Sequence, residues 1–221
     1  MRKFAVFVPT LLAGLLAAGS IGYAQEEAAA SMPAQAWNFQ VYLDDKSIGS
    51  HTFAQYGEAN NYEMRIAADL RVKLLFITVY QYEHRNQERW RGGCLQEIES
   101  QTDDNGDMFS VVGRQLGEGF EIIANQQTTL LPRCITTFAY WDPRFLTQTS
   151  LLNSQTGEYI PVTITGPFPA TRIDRGQSVE TQRYQIKAKD IDIQLWYSQS
   201  GDWLALESAV EGGRTLRYER I

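Results

Sequence analysis

The chain has 221 residues and a formal net charge of −6, from 20 basic and 26 acidic side chains. An acidic chain argues against nucleic acid as a partner and against electrostatic docking on anionic lipid. Five Trp, eleven Tyr and ten Phe are many for this length and predict an interior rich in rings.

The N-terminus has the features of a secretory signal peptide. Two basic residues precede an apolar run from Phe4 to about Ile21, and small residues lead up to Ala24. This pattern predicts cleavage after Ala24 and export across the inner membrane to the periplasm. An uncleaved anchor is the alternative, because the run nearly reaches the length that spans a bilayer. Cleavage leaves about 197 residues with a charge of −8: a flexible leader over 25–36 and a single β-barrel-like domain over 37–221.

The first predicted strands cover residues 37–43 and 48–56, separated by a turn at 44–47. Residues 62–90 then alternate between apolar and polar side chains. Alternation of period two predicts a strand with one buried face. A straight strand of this length would measure roughly 95 Å, so the run must bend or fold back. No Gly, Pro or Asn before Asn86 marks the place.

The rest of the chain also predicts short strands. They cover 94–102, 108–113, 119–125, 128–137, 158–165, 179–188, 191–198, 203–210 and 215–221. Asn105-Gly106 is the strongest hairpin signal, and Asp142-Pro143 is the one good helix start. Ten or eleven strands predict an all-β fold, a strongly curved antiparallel sheet or partly open β-barrel, with the short helix as a lid.

Two cysteines, Cys94 and Cys134, most simply form one disulfide in an oxidising compartment. Their 40-residue separation predicts a stabilisation of about 4 kcal/mol from the lost entropy of the unfolded chain. A reactive thiol is the alternative, but no motif supports it.

Catalytic and metal-binding motifs give little guidance. No HExxH, GxSxG, CxxC or glycine-rich phosphate loop is present, and there are only two histidines, His51 and His84. No cofactor, metal site or catalytic residue is predicted. A Cys94–His84 nucleophile pair, a two-histidine metal site and a carboxylate pair for sugar cleavage are alternatives with less support, so an enzyme is the weakest of the hypotheses.

A ligand cavity is the favoured functional hypothesis, because a curved sheet lined by rings and aliphatic side chains can enclose a lipid or another apolar molecule. The predicted cavity residues are Leu70, Val72, Leu74, Phe76, Tyr80, Tyr82, His84, Trp90, Trp141 and Phe145. A core filled by these same side chains is the alternative. A second hypothesis is an envelope protein that binds a partner through the apolar patch of Leu75, Ile77 and Val79.

Several segments resemble an exported bacterial family of unknown function. They are residues 90–95 (WRGGCL), 102–106 (TDDNG), 134–141 (CITTFAYW), 142–143 (DP), 151–153 (LLN) and 155–158 (QTGE). The tail from Leu195 to Tyr218 also resembles a wider set of uncharacterised periplasmic β proteins. The resemblance covers nearly all of residues 37–221 and implies no known activity. More distantly, the pattern is similar to periplasmic lipoprotein carriers, which implies a curved sheet.

Overall fold

The computed structural model describes residues 32–221, which form one large antiparallel sheet and a small two-stranded sheet. The strands are β1 (Gln35–Leu43), β2 (Lys46–Glu58), β3 (Asn61–Leu74), β4 (Ile77–Arg91), β5 (Cys94–Asp104), β6 (Asp107–Leu116), β7 (Gly119–Ala124), β8 (Gln127–Pro132), β9 (Ser150–Leu152), β10 (Tyr159–Pro161), β11 (Thr163–Asp174), β12 (Gln177–Ala188), β13 (Ile191–Ser198), β14 (Trp203–Val210) and β15 (Arg214–Arg220). Two short 3-10 helices cover Pro143–Thr147 and Glu211–Gly213. The predicted signal peptide and most of the predicted leader lie outside the described residues.

The large sheet has thirteen strands in the order β11, β12, β13, β14, β15, β1 and then β2 to β8. Strand β1 lies between β2 and β15, so the two halves of the chain join into one surface. Within residues 32–221 the edge strands β8 and β11 do not pair, and the sheet is curved but not closed. The predicted all-β, partly open barrel is confirmed. No helix in this part of the chain is long and apolar enough to cross a membrane.

The long alternating run is a single hairpin made of β3 and β4. Leu74 pairs with Ile77, and Leu75 in the connection has a φ of 57°. This left-handed conformation is uncommon for a branched aliphatic residue, which explains why the turn carries no sequence signal. One further irregularity, between Val72 and Lys73, shifts the register near the end of the hairpin.

The sequence misplaces two other strands. The predicted strand over 128–137 ends at Pro132, so Cys134 lies on an irregular segment rather than in the sheet. The predicted strand over 158–165 stops at Thr165, whereas the edge strand β11 continues through a register shift at Gly166-Pro167 to Asp174. Proline lacks an N–H and is tolerated in a sheet only at an edge or a bulge. Strand β11 supplies both conditions.

The segment 133–162 leaves the edge strand β8 and crosses the inside of the curved sheet. Leu95 N donates to Ile135 O (3.0 Å), Tyr197 Oη donates to Tyr140 O (2.8 Å), and a disulfide joins Cys94 to Cys134. The predicted disulfide is therefore present in the structure. These contacts hold the segment against both halves of the sheet.

One half of the interior is tightly packed by aromatic rings. Trp203 is completely buried, with its ring centroid 4.3 Å from that of Phe39 and 5.0 Å from that of Phe53. Tyr140, from the crossing segment, lies 5.2 Å from Trp203 by the same measure. These rings, with Trp90, Trp141 and Phe145, form the packed half of the interior.

Candidate functional site

The other half of the interior contains a cavity of about 530 Å³, which we call the outer cavity. Strands β1, β2, β3, β4 and β15 and the end of β14 form its wall. The lining residues are Leu43, Ile48, His51, Leu70, Val72, Val79, Tyr80, Tyr82, Val210, Arg214, Leu216 and Tyr218. Aliphatic side chains cover most of this wall, and four polar rings and one arginine interrupt it. The volume lies within the 300–1,000 Å³ typical of small-molecule sites.

The outer cavity opens to solvent near the end of the β3–β4 hairpin. Val79 and Val210 line it and are also substantially exposed. Arg214 lies at the same rim, where it donates from Nε to Asp44 Oδ2 at 3.0 Å. An apolar molecule could therefore enter without passing through the packed half.

A smaller cavity of about 250 Å³, the inner chamber, lies between the outer cavity and the packed half. The two share His51, Tyr82, Leu216 and Tyr218 in their walls. The inner chamber adds polar side chains that the outer cavity lacks. They are His84, Glu88, Thr137, Asn153, Ser154, Gln155 and Ser208.

Strand β4 alone shows how the interior changes along its length. Because alternate residues of a strand face one side, Tyr80 and Tyr82 face the outer cavity, His84 and Glu88 face the inner chamber, and Trp90 is buried in the packed half. Along the inward face of β4, the surroundings therefore change from the open, largely aliphatic outer cavity to the polar inner chamber and then to the packed rings.

His51 and His84 are held as neutral rings. Burial is the main cause that lowers the pKa of His51 to about 3, and electrostatic repulsion from His84 adds to it. Burial also lowers the pKa of His84 to about 4, with a smaller contribution from the positive charge of Arg85. Nδ1 of His51 is hydrogen-bonded to Tyr218 Oη (3.1 Å), and Nδ1 of His84 to Thr102 Oγ1 (2.8 Å). His51 Nε2 is buried and has no hydrogen-bond partner among the residues that the structure describes.

Glu88 is a buried carboxyl group on the wall of the inner chamber. Its Oε1 accepts from Asn86 Nδ2 (2.8 Å), and its Oε2 accepts from Trp90 Nε1 (2.9 Å) and Thr137 Oγ1 (3.3 Å). Burial raises the pKa of Glu88 to about 7, and these three hydrogen bonds oppose the rise. Both oxygens already accept hydrogen bonds from the protein, so the carboxyl group is fixed in the wall of the inner chamber.

Tyrosine hydroxyl groups are fixed where the two cavities meet. Tyr80 Oη donates to Asp104 Oδ1 (2.7 Å), and Tyr82 Oη donates to Gln155 Oε1 (3.1 Å). Gln155 Nε2 links these two hydrogen bonds by donating to Asp104 Oδ2 at 3.1 Å. Burial raises the pKa of both tyrosines, so these hydroxyls stay protonated and act as fixed polar groups.

The structure brings most of the predicted cavity residues to the two cavities. Leu70, Val72, Tyr80 and Tyr82 line the outer cavity, and Tyr82, His84 and Trp141 line the inner chamber. Trp90 and Phe145 are instead buried in the packed half and line neither of these two cavities. The short helix that carries Phe145 therefore covers packed rings rather than the outer cavity.

Leu74 and Phe76 require a correction. Both were expected on the concave face, but the structure places them at the exposed end of the β3–β4 hairpin, where Phe76 is 100% exposed. The alternation that predicted them continues through the sequence, whereas the strand ends at Leu74. Leu75, Ile77 and Val79 are exposed at the same end, so none of residues 32–221 covers them there.

Several wall residues are absent from the predicted set, chiefly His51, Leu216 and Tyr218. A weak signal was available, because His51 shares an alternating face with Phe53, and Leu216 shares one with Tyr218. What the sequence could not show is that β15 and β2 flank β1. Among residues 32–221, no group of three or more His, Cys, Asp or Glu side chains lies close enough to hold a metal ion.

A solved structure has a similar fold. The crystal structure of a β-barrel-like protein of the domain of unknown function DUF1849, from Brucella abortus, superposes with a TM-score of 0.63. The match covers 84% of this chain and 94% of that chain at 9% sequence identity. At this identity the match shows a similar fold and nothing more. No curated protein sequence matches the chain.

The family described as Domain of unknown function (DUF6134) matches residues 39–221 of the sequence. This range includes every strand that lines the two cavities, apart from the first residues of β1. It confirms the resemblance to a family of unknown function. The chain belongs to the DUF6134 family.

Proposed function

We propose that this protein is an exported, periplasmic binding protein that holds a lipid or another apolar small molecule inside its open β-barrel. The outer cavity is the observation that carries the proposal. Its aliphatic wall offers burial at roughly 25 cal/mol per Å² of apolar surface, and its rim gives access from solvent. Tyr80, Tyr82 and Tyr218 add a few polar groups that orient a ligand, as in many small-molecule sites.

The first test asks whether the protein carries an apolar molecule. Native mass spectrometry of the purified protein, followed by solvent extraction, is expected to detect a bound lipid-like species. The stripped protein is expected to bind the fluorescent probe 1-N-phenylnaphthylamine with a saturable increase in emission. A protein with neither bound species nor saturable probe binding would contradict the proposal.

A cavity-filling variant locates the binding. Val72→Trp places a large side chain in the outer cavity and is expected to abolish saturable probe binding. Val112→Trp is the matched control, because Val112 is exposed on the outward face of β6. Equal binding by both variants would place the probe outside the outer cavity.

The exposed end of the β3–β4 hairpin favours a second candidate function, an envelope protein that docks on a partner protein. Leu75 and Phe76 are 86% and 100% exposed, and Leu74, Ile77 and Val79 extend the patch. Patches of this kind mark interaction sites. Lys46 and Lys73 line one surface pocket near this end. Among residues 32–221, Lys187 is the one lysine that forms an ion pair. The surface fits a partner with an apolar centre and an acidic rim.

A pull-down with the full-length protein tests this second function. Ile77→Glu is expected to lose a partner that Ile173→Glu retains, because Ile173 is equally exposed on the distant edge strand β11. The capture should also weaken at high salt, which screens the lysines. Loss with both variants would contradict docking at the hairpin. Co-flotation with lipid vesicles instead of protein capture would assign the patch to a membrane surface.

A further inference from the structure

The inner chamber offers polar groups to the end of a ligand whose chain lies in the outer cavity. The two spaces share His51, Tyr82, Leu216 and Tyr218 in their walls, which places them next to one another. The outer wall is largely aliphatic, whereas the inner wall includes two histidines, Gln155 and Asn153. This change in polarity from one space to its neighbour matches an amphiphile that enters with its polar end first.

His51 supplies the most specific contact. Its Nδ1 is occupied by Tyr218 Oη at 3.1 Å, and its ring stacks on Phe53 with centroids 4.2 Å apart, so the ring has a fixed orientation. Its Nε2 is buried without a partner among the described residues. An unsatisfied buried polar atom costs about 1–3 kcal/mol. A hydroxyl or carbonyl group on a ligand would remove this cost, and an alkyl group would not.

The charges around the inner chamber select an uncharged polar end. No Lys or Arg is among the described residues that line it. His84 is buried, His51 is half-buried, and both rings are neutral, so they cannot balance an anion. Glu88 is the one carboxyl group in this wall, and its oxygens already accept from Asn86, Trp90 and Thr137. A buried charge without a counter-ion is strongly disfavoured.

An anionic end group has a better position elsewhere. Arg214 lies at the rim of the outer cavity, beside solvent. A ligand carboxylate would favour this rim over the inner chamber. A fatty acid would then place its methyl end beside His51 and leave Nε2 unpaired. The two orientations differ in the hydrogen bond to His51, which makes them distinguishable.

From these observations we infer that the ligand is an amphiphile with an uncharged hydroxyl or carbonyl end, held by His51 in the inner chamber, and an apolar chain in the outer cavity. The inference rests on the proposed ligand-binding function and specifies the chemistry of its ligand. His51 is a specificity-determining residue in this arrangement.

Three ten-carbon amphiphiles with different end groups test the inference on the full-length protein. Decan-1-ol, decanoate and decyltrimethylammonium compete with 1-N-phenylnaphthylamine for the cavity. Decan-1-ol is expected to bind at least about tenfold more tightly than either ion, since a hydrogen bond and an avoided buried charge together exceed about 1.4 kcal/mol. Equal or tighter binding of either ion would overturn the inference.

Two substitutions assign the preference to His51. His51→Phe keeps an aromatic ring for stacking on Phe53 and removes both nitrogens. It is expected to lower the affinity for decan-1-ol about tenfold more than the affinity for the probe. His51→Gln keeps a hydrogen-bonding group and should restore part of the loss. An unchanged affinity for decan-1-ol in His51→Phe would overturn the role of His51.

The failure of this inference differs from the failure of the proposed function. Saturable probe binding with no preference among the three end groups overturns the inference alone. Absence of any saturable probe binding overturns both. The ranking of the three amphiphiles on the unmodified protein needs no variant, so it stands even if a His51 variant unfolds.

Discussion

The packed half and the cavity half of the interior are built by the same strands, yet one is solid and the other is hollow. On β4, Trp90 is fully buried among rings, while Tyr80 faces the outer cavity. On β1, Phe39 contacts Trp203, while Leu43 lines the outer cavity. The difference lies in what fills the concave side: rings and the crossing segment at one end, short aliphatic chains at the other. Alternation fixes which face points inward but not whether that space is filled.

The largest expected effect comes from removing a ring in the packed half. Trp203→Ala should lower the free energy of unfolding by about 3–5 kcal/mol, the range for deleting a large buried aromatic side chain. Leu216→Ala, at the cavity wall, should cost only about 1 kcal/mol because fewer neighbours surround it. Urea denaturation followed by circular dichroism measures both. Similar costs for the two variants would mean that the halves are equally packed.

The next effect concerns Glu88, where the two halves meet. Burial raises its pKa to about 7 in the folded protein, above the ordinary 4.5. The folded state therefore binds more protons than the unfolded state between these values, and the stability from this group falls as the pH rises through that window. The loss at pH 8 is on the order of 3 kcal/mol.

Glu88→Gln removes this titration. The variant should gain stability over the unmodified protein at pH 8 and show no such gain at pH 4.5, measured by urea denaturation at both pH values. Glu97→Gln is the control, because Glu97 is an exposed carboxylate on the neighbouring strand β5. A gain from Glu88→Gln that is the same at both pH values would contradict a raised pKa at Glu88.

A smaller effect is expected from adding volume to each half. Val111 is completely buried against the packed core, and Val111→Trp should destabilise by at least about 1–3 kcal/mol through overpacking. Val72→Trp enters the outer cavity and should change the unfolding free energy by less than about 1 kcal/mol. A severe loss for Val72→Trp would show that the outer cavity has no room for the added ring.

The smallest effect belongs to the hairpin end, which lies outside both halves. Phe76→Ser should change the unfolding free energy by less than about 0.5 kcal/mol, because the ring is fully exposed and packs against none of residues 32–221. Thermal denaturation at several protein concentrations measures it. A large loss would mean that the ring packs against the protein or against a second copy in solution.

Much of the fold follows from local sequence, because alternation and turn chemistry act over short distances. The alternation of Trp37 to Leu43 predicts β1, and Asn105-Gly106 predicts the β5–β6 hairpin, where both residues have positive φ. The turn at Leu75 could not be found in this way. A leucine in the left-handed region is imposed by the pairing of β3 with β4, not by its own preference.

The candidate site depends on long-range pairing and could be predicted only in part. Leu70, Val72, Tyr80 and Tyr82 share one hairpin, so local alternation placed them together. His51 and Tyr218 are 167 positions apart in the sequence, and they meet only because β1 lies between their strands. The unpaired Nε2 of His51 is likewise a property of the assembled wall.

The most direct test is a crystal structure of the protein with 10-bromodecan-1-ol, using the anomalous signal of bromine. The predicted result is a bromine peak in the outer cavity near Val72 and Val79, with the hydroxyl oxygen within hydrogen-bond distance of His51 Nε2. A bromine peak beside His51, or an interior closed by direct contact between Val72 and Leu216, would contradict it.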